Sequence, residues 1–455
     1  MILRVIIAVF VVFYYYIKWT YNYWKRKGVF TIEPKFPHGS MQEVAKGELN
    51  RLEFYQKFYL DVKKRGLKYG GLYEGMTAVW VPVDQEMIKN VLLKDFQHFV
   101  DHGLYSNPKV DPLTGGLFLL EGDTWRTHRA KLTPTFTSGK IKMMFDTLAV
   151  YSKALEKLLE KEVSFGEPIF IKETLARFTT DIIGSVAFGI DCNCMNEPNN
   201  EFRQKCSKAF AINGKLKQFT HRFAPKWFLK AISFKQNDPT VEKFFFDLVE
   251  STIKYREENN VIRKDFLQML IELKNTGTIS EGETVKQVIK NKKPFMNLNE
   301  IVAHSFTFFL AGFETSSTTM SFAIVELGLN QDIQDKLREE ILDVLSKNNR
   351  ELTYKSVNEM TYLEQVLQET LRKYPPIPII PRICTKTYHV PGEDLTIEKG
   401  THVQVAVGAV HYDPEIYPNP EKFDPDRWSP ENSSKRSNFN FLTFGEGPRL
   451  CIGTF

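Results

Sequence analysis

Between Asn297 and Asn330 the chain reads "NLNEIVAHSFTFFLAGFETSSTTMSFAIVELGLN", a stretch of helical period that is apolar on almost every side. Such a helix has no face to offer water, so the rest of the chain must surround it. It is a poor candidate for a membrane span, because Glu300, His304, Glu314, Thr315 and Glu326 interrupt it. The pattern therefore predicts a buried central helix, whose start Asn299, or Asn297, can cap. From Gly122 to Tyr374 nearly every stretch has helical period, punctuated by Pro168, Pro198, Pro225, Pro239 and Pro294. Outside that block the texture changes. "LYEGMTAVWVPV" (Leu72 to Val83) predicts a strand pair followed by a helix opening at Asp84, and "TYHVPG" and "HVQVAVGAV" predict short β pieces. Residues His411 to Asn440 are rich in Pro and Asn and predict a long irregular connection of the kind that usually serves a function. The expected fold class is mainly α with small β-sheets.

Composition supports a large core. Of 455 residues 42% are apolar and 25% charged, which fits a globular chain and excludes global disorder. Length alone suggests about three domains, although one large unit is compatible with it. A net charge of +5 does not mark a nucleic-acid binder. The five cysteines are too few and scattered for a disulfide framework, so a reducing compartment is expected. No internal repeat, P-loop or dinucleotide fingerprint occurs.

The first segment, "MILRVIIAVFVVFYYYIKWTYNYWKRKG", differs in kind. Its apolar run from Val5 to Ile17 is extended by Trp19, Tyr21, Tyr23 and Trp24, and a helix from Ile2 to Trp24 would reach about 35 Å. A cleaved signal peptide would need small residues after the run, where bulky aromatics and Lys25-Arg26-Lys27 stand instead. An uncleaved anchor over residues 1–27 is expected, with the basic cluster and everything after it on the cytosolic side. The sequon Asn432-Ser433-Ser434 would go unused there. Pro34, Pro37 and Gly39 suggest a stiff linker over residues 28–40.

Near the other end, Phe444, Gly445, Gly447, Arg449, Cys451 and Gly453 form F-G-x-G-x-R-x-C-x-G. A lone cysteine is usually a small buried hydrophobe. Here glycines would let the backbone turn tightly against a flat ligand, and free amides near the sulfur would favour thiolate. The stretch resembles the haem-binding loop of the cytochrome P-450 superfamily, the haem-thiolate monooxygenases. In that family the cysteine thiolate is the proximal iron ligand of haem b.

The resemblance extends through other signatures in order. Ala311-Gly312-Phe313-Glu314-Thr315 is similar to the oxygen-activation motif, which implies that Glu314 and Thr315 guide protons. Physically, a hydroxyl beside a carboxylate inside a helix loosens the backbone ladder. Glu369 and Arg372 in "ETLR", with Arg427 in "FDPDRW", match the family's buried ion-paired triad, which is structural. Trp125 and Arg129 match W-x-x-x-R and, with Arg382 and Arg449, are implied to hold haem propionates. Electrons are expected from NADPH through a separate flavoprotein reductase, with cytochrome b5 as a second partner. Lys131, Lys140, Lys142, Lys435 and Arg436 offer a basic docking face.

"FFLAGFETSS" and "FGEGPR" look most like insect microsomal members that handle plant toxins and insecticides. The implied activity is insertion of one oxygen atom into lipophilic substrates at the endoplasmic reticulum membrane. Specificity is expected from Phe96 to Leu120, from Phe202 to Phe234, and from Phe306, Phe308 and Phe309. Two departures stand out. Thr443 replaces a common proline, and the chain stops at Phe455 where family members continue with a helix and a β-hairpin. A partial sequence is the expectation. Rival readings are a same-fold isomerase or dehydratase and a haem-binding protein without catalysis.

Overall fold

A computed structural model describes residues 1–209, 214–280 and 295–454. Mostly helical with small sheets, the chain forms two compact units, one of Met1–Gly103 with Leu371–Cys451 and one of Leu104–Thr370 with Ile452–Phe455.

The first unit is built on a four-stranded sheet. Strands β1 (Tyr69–Glu74) and β2 (Thr77–Pro82) pair antiparallel across a turn in which Gly75 has φ +62°. Further along the chain come β3 (Ile380–Ile383), β4 (Tyr388–His389), β5 (Thr396–Ile397) and β6 (His402–Val405). The order is β1-β2-β6-β3, with β6 parallel to β2, and β4 pairs β5 separately. The strand pair and the helix after Asp84 match the sequence pattern, and Asp84 caps that helix through Met87 N at 3.1 Å. The expectation for "HVQVAVGAV" needs correction, because pairing ends at Val405 and Val407–His411 forms a short helix. Trp80, Val81, Val403 and Val405 are buried among Phe54, Phe58 and Val62 of the helix Arg51–Lys64. Residues read as a linker lie along β1: Thr31 bridges Gly71, and Ser40 N donates to Tyr73 O at 2.8 Å.

The anchor expected over residues 1–27 also needs correction. The N-terminal helix runs Ile2–Tyr21 and stops at Asn22. Trp24, counted in the sequence as an interfacial aromatic, is wholly buried, its Nε1 donating to Leu72 O at 3.0 Å. The globular body thus takes the last turn of the proposed span, and Arg4, Lys18 and three consecutive tyrosines dilute what is left. Among the described residues no helix is long and apolar enough to cross a membrane.

The second unit is helical. Its central helix is Leu298–Leu329, opened by Asn297, whose side chain accepts from Glu300 N while Glu300 accepts from Asn297 N. Ile301, Val302, Phe306 and Phe309 bury one side against neighbouring helices, which include Ile171–Ile183 and Pro239–Asn259. Pro239 starts its helix at the first turn, where its missing N–H costs nothing, and Pro294 lies outside the described residues.

Candidate functional site

The Cys451 turn is fixed by backbone sterics. Gly445 and Gly447 have φ of +76° and +75°, which L side chains rarely adopt. At Gly447 a Cβ would lie 2.0 Å from Leu92 O, so no other residue fits. Cys451 N donates to Phe444 O at 2.8 Å and closes the turn. The other four cysteines are buried, whereas Cys451 is exposed.

Two guanidiniums are buried beside this turn. Arg449 donates from Nε to Val100 O at 2.9 Å and reaches Asp101 at 3.4 Å. Arg382, held in β3 opposite Val403, is 1% exposed, and among the described residues its Nε has no partner. Burial, and secondarily the positive charge of Arg449, lowers the Arg382 pKa to about 9. A buried cation such as Arg382, with an open donor, calls for an anion. A solvent-facing thiol next to such a pair fits haem, which offers iron to the sulfur and carboxylates to the arginines.

The chain around the turn is held by Arg372, Arg427 and His411. Arg372 is wholly buried and donates to His411 O at 2.9 Å and Pro420 O at 2.8 Å, while Arg427 donates to Asn419 O at 3.0 Å. Both arginines of the expected triad thus grip one irregular turn. Glu369 is wholly buried as well. His411 donates from Nδ1 to Arg372 O at 3.0 Å and accepts Leu442 N at Nε2 at 2.9 Å, which specifies a neutral imidazole in one tautomer. Burial, then the Arg372 charge, lowers its pKa to about 3.

In the second unit, Glu314 and Thr315 sit on the central helix, which continues unbroken through them. The loosening expected there is confined to side-chain competition for carbonyls: Thr315 Oγ1 bonds Ala311 O, and Thr179 Oγ1 bonds Phe313 O at 3.1 Å. At Gly312 a Cβ would approach Ile183 Cδ1 to 2.8 Å, so a small residue lets the two helices close. Lys172, which sequence reasoning did not single out, places Nζ 2.9 Å from Glu314, 2.9 Å from Ser317 Oγ and 2.7 Å from Thr318 Oγ1. Trp125 is buried and Arg129 half-buried on the helix Gly122–Leu132. Between them His128 meets His304 of the central helix, Nδ1 to Nε2, at 2.8 Å. His304 is wholly buried, and burial with the neighbouring His128 lowers its pKa to about 3.

Other expectations change. Phe306, Phe308 and Phe309 are core residues: Phe306 and Phe309 meet Phe245 at 5.0 and 5.4 Å, and Phe308 meets Phe266 at 4.3 Å. Lys140 is 1% exposed and leaves the basic docking face. Arg436 stacks over Trp428 at 4.7 Å, and Lys435 faces Glu431 at 3.5 Å. Lys172, Asp101 and His411 were missed because their partners lie 142, 348 and 31 positions away, where no local pattern reports them.

Comparison with known proteins shows the family. The chain is 40% identical over 459 residues to "Probable cytochrome P450 6a13" of Drosophila melanogaster, covering 99% of this chain and 88% of that protein. It is 43% identical over 442 residues to cytochrome P450 6a2 of the same species, covering 95% and 85%. Cytochrome P450 6A1 of Musca domestica is 38% identical over 450 residues, covering 96% and 85%. The Cytochrome P450 family profile matches residues 39–455, and the chain therefore belongs to the cytochrome P450 family of haem-dependent monooxygenases.

Proposed function

We propose that the chain holds haem b on Cys451 and inserts one atom of dioxygen into lipophilic small molecules, including plant toxins or insecticides. The observation that carries this reading is the exposed Cys451 on a sterically fixed turn beside two buried guanidiniums. When bound, haem supplies an iron centre that activates dioxygen. Cys451 would contribute its thiolate, with Phe444 and Gly453 shaping the turn around it. Arg382 and Arg449, with Trp125 and Arg129, would hold the propionates. Glu314 and Thr315 would pass protons inward from solvent, Lys172 fixing where the carboxylate rests. Glu369, Arg372 and Arg427 would act as the structural triad that secures the irregular segment.

Electrons would come from NADPH through a separate flavoprotein reductase, with cytochrome b5 as a second donor and Lys131 and Lys142 within the docking face. Residues 41–455 would form the haem domain, on the cytosolic side of the endoplasmic reticulum membrane. Exposed Leu3, Ile7, Phe10 and Trp19 on the N-terminal helix support membrane attachment, with the helix dipping into the interface. In the second unit, exposed Phe219, Trp227, Phe228 and Ile232 interleaved with lysines support the same attachment.

The test is turnover in phospholipid vesicles with a flavoprotein reductase, NADPH, ¹⁸O₂ and a panel of lipophilic toxins. The proposal expects one labelled oxygen per product, dependent on NADPH and abolished in Cys451→Ala. Products that form without NADPH, by rearrangement of added peroxides and without label, would overturn it.

A further inference from the structure

The helix Gly122–Leu132 carries Trp125 and Arg129, yet little of its own sequence holds it down. It reads GDTWRTHRAKL, and its buried side chains are Trp125, His128 and Leu132. So narrow an apolar stripe gains little from burial. Its joint to the central helix is polar. His128 Nδ1 lies 2.8 Å from His304 Nε2, and on the other side of the same ring His128 Nε2 lies 3.5 Å from Glu300 Oε1. About one turn further along, Lys131 Nζ donates to Phe295 O at 3.2 Å, just before the central helix begins. We propose that the bond between His128 and His304 seats this helix on the central one and thereby positions Trp125 and Arg129 for the carboxylates of haem.

The geometry of an α-helix makes His128 a sensitive place for such a bond. At about 100° per residue, Trp125 lies about 60° to one side of His128 and Arg129 about 100° to the other. A helix that rolled or slid would carry both off aim together. Apolar side chains at the two positions would hold the helices in contact, but a hydrogen bond also fixes direction.

The polarity of the bond follows from its surroundings. Glu300 favours the proton on His128 Nε2, so Nδ1 accepts and His304 Nε2 donates. That leaves His304 Nδ1 as a lone pair in a wholly buried site, which agrees with its having no partner among the described residues. A buried acceptor left over is better tolerated than a buried N–H. Burial keeps His304 neutral, so a single proton serves the contact. What Trp125 and Arg129 hold rests on the proposed function, whereas the bond between the two helices does not.

The experiment is the rate of haem transfer from the loaded full chain to an excess of apomyoglobin. Arg129→Ala should speed haem loss by about tenfold, the scale of one lost hydrogen bond to a charged group. His128→Leu should speed it by about fivefold, and by under about twofold when Arg129 is already alanine, because both changes then remove the same contact. His304→Gln, whose carboxamide N–H stands in for Nε2, should stay within about twofold of wild type, while His304→Leu should match His128→Leu. If His128→Leu does not fold, the two His304 variants, each also combined with Arg129→Ala, decide the matter. Effects that multiply in the double variants, or a His304→Gln no better than His304→Leu, would overturn the proposal and make the pair ordinary packing. Failure of the haem reading would show separately, as haem loss unchanged in Arg129→Ala, and would take the proposal with it.

Discussion

The Cys451 turn and the Glu314 helix turn are both short and polar, yet their geometry has opposite origins. At Cys451 the backbone is forced: Gly447 has no room for a Cβ and stands at φ +75°. At Glu314 the backbone is ordinary helix, and what is specific is a partner, Lys172, supplied from another helix 142 positions away. The first kind of site is rigid and writes itself into local sequence. The second is adjustable, because a partly exposed ion pair can break at little cost, which suits a group that must move protons.

Four changes probe this contrast, from largest effect to smallest. Gly447→Ala should destabilise the chain by at least ~3 kcal/mol, read as a shifted urea midpoint, since strain at positive φ adds to a backbone overlap. A cost under ~1 kcal/mol would mean that the turn adapts. Glu314→Gln should leave stability alone but lower kcat by about 100-fold, since general acid–base groups contribute on that scale. An unchanged kcat would remove Glu314 from proton transfer.

The third change concerns pH. His411 and His304 have folded pKa values lowered to about 3 by burial, against 6.5 when unfolded. Their contribution to stability is therefore fully present above about pH 6.5 and declines as pH falls toward 3, by about 1.4 kcal/mol per unit for each group. His411→Gln should reduce that slope by one such increment between pH 6 and pH 4, measured by urea unfolding. An unaltered slope would show that His411 is not held neutral. The smallest effect is expected from Lys172→Met, under about 1 kcal/mol in stability, because both partners of its ion pair are nearly half exposed. A loss of several kcal/mol would make Lys172 a structural residue and dissolve the contrast.

The same distinction explains what was legible in the sequence. Glycines around Cys451, the strand pair and the apolar central helix are local signals, and each stands where the pattern put it, while of the two asparagines offered as the helix cap it is Asn297 that caps. Aromatic content was ambiguous because a ring carries no mark of which side it faces. Phe306 and Phe309 went to the core, and Trp24 went from the expected membrane edge to the body. Lys140, expected on a basic docking face, is 1% exposed, and its sequence context carries no mark of that burial. His411 and Lys172 are common residues in unremarkable contexts, and only chain crossings give them meaning.

The central claim is that Cys451 is the sulfur on which haem sits. Its most direct test is the reduced carbon monoxide difference spectrum of the chain purified in detergent, beside Cys451→His. The wild type should show the red-shifted Soret band of thiolate-ligated iron, and Cys451→His should move it to the shorter wavelength of a nitrogen ligand. A red-shifted band that persists in Cys451→His, or a wild type with haem bound but no thiolate band, would contradict the account.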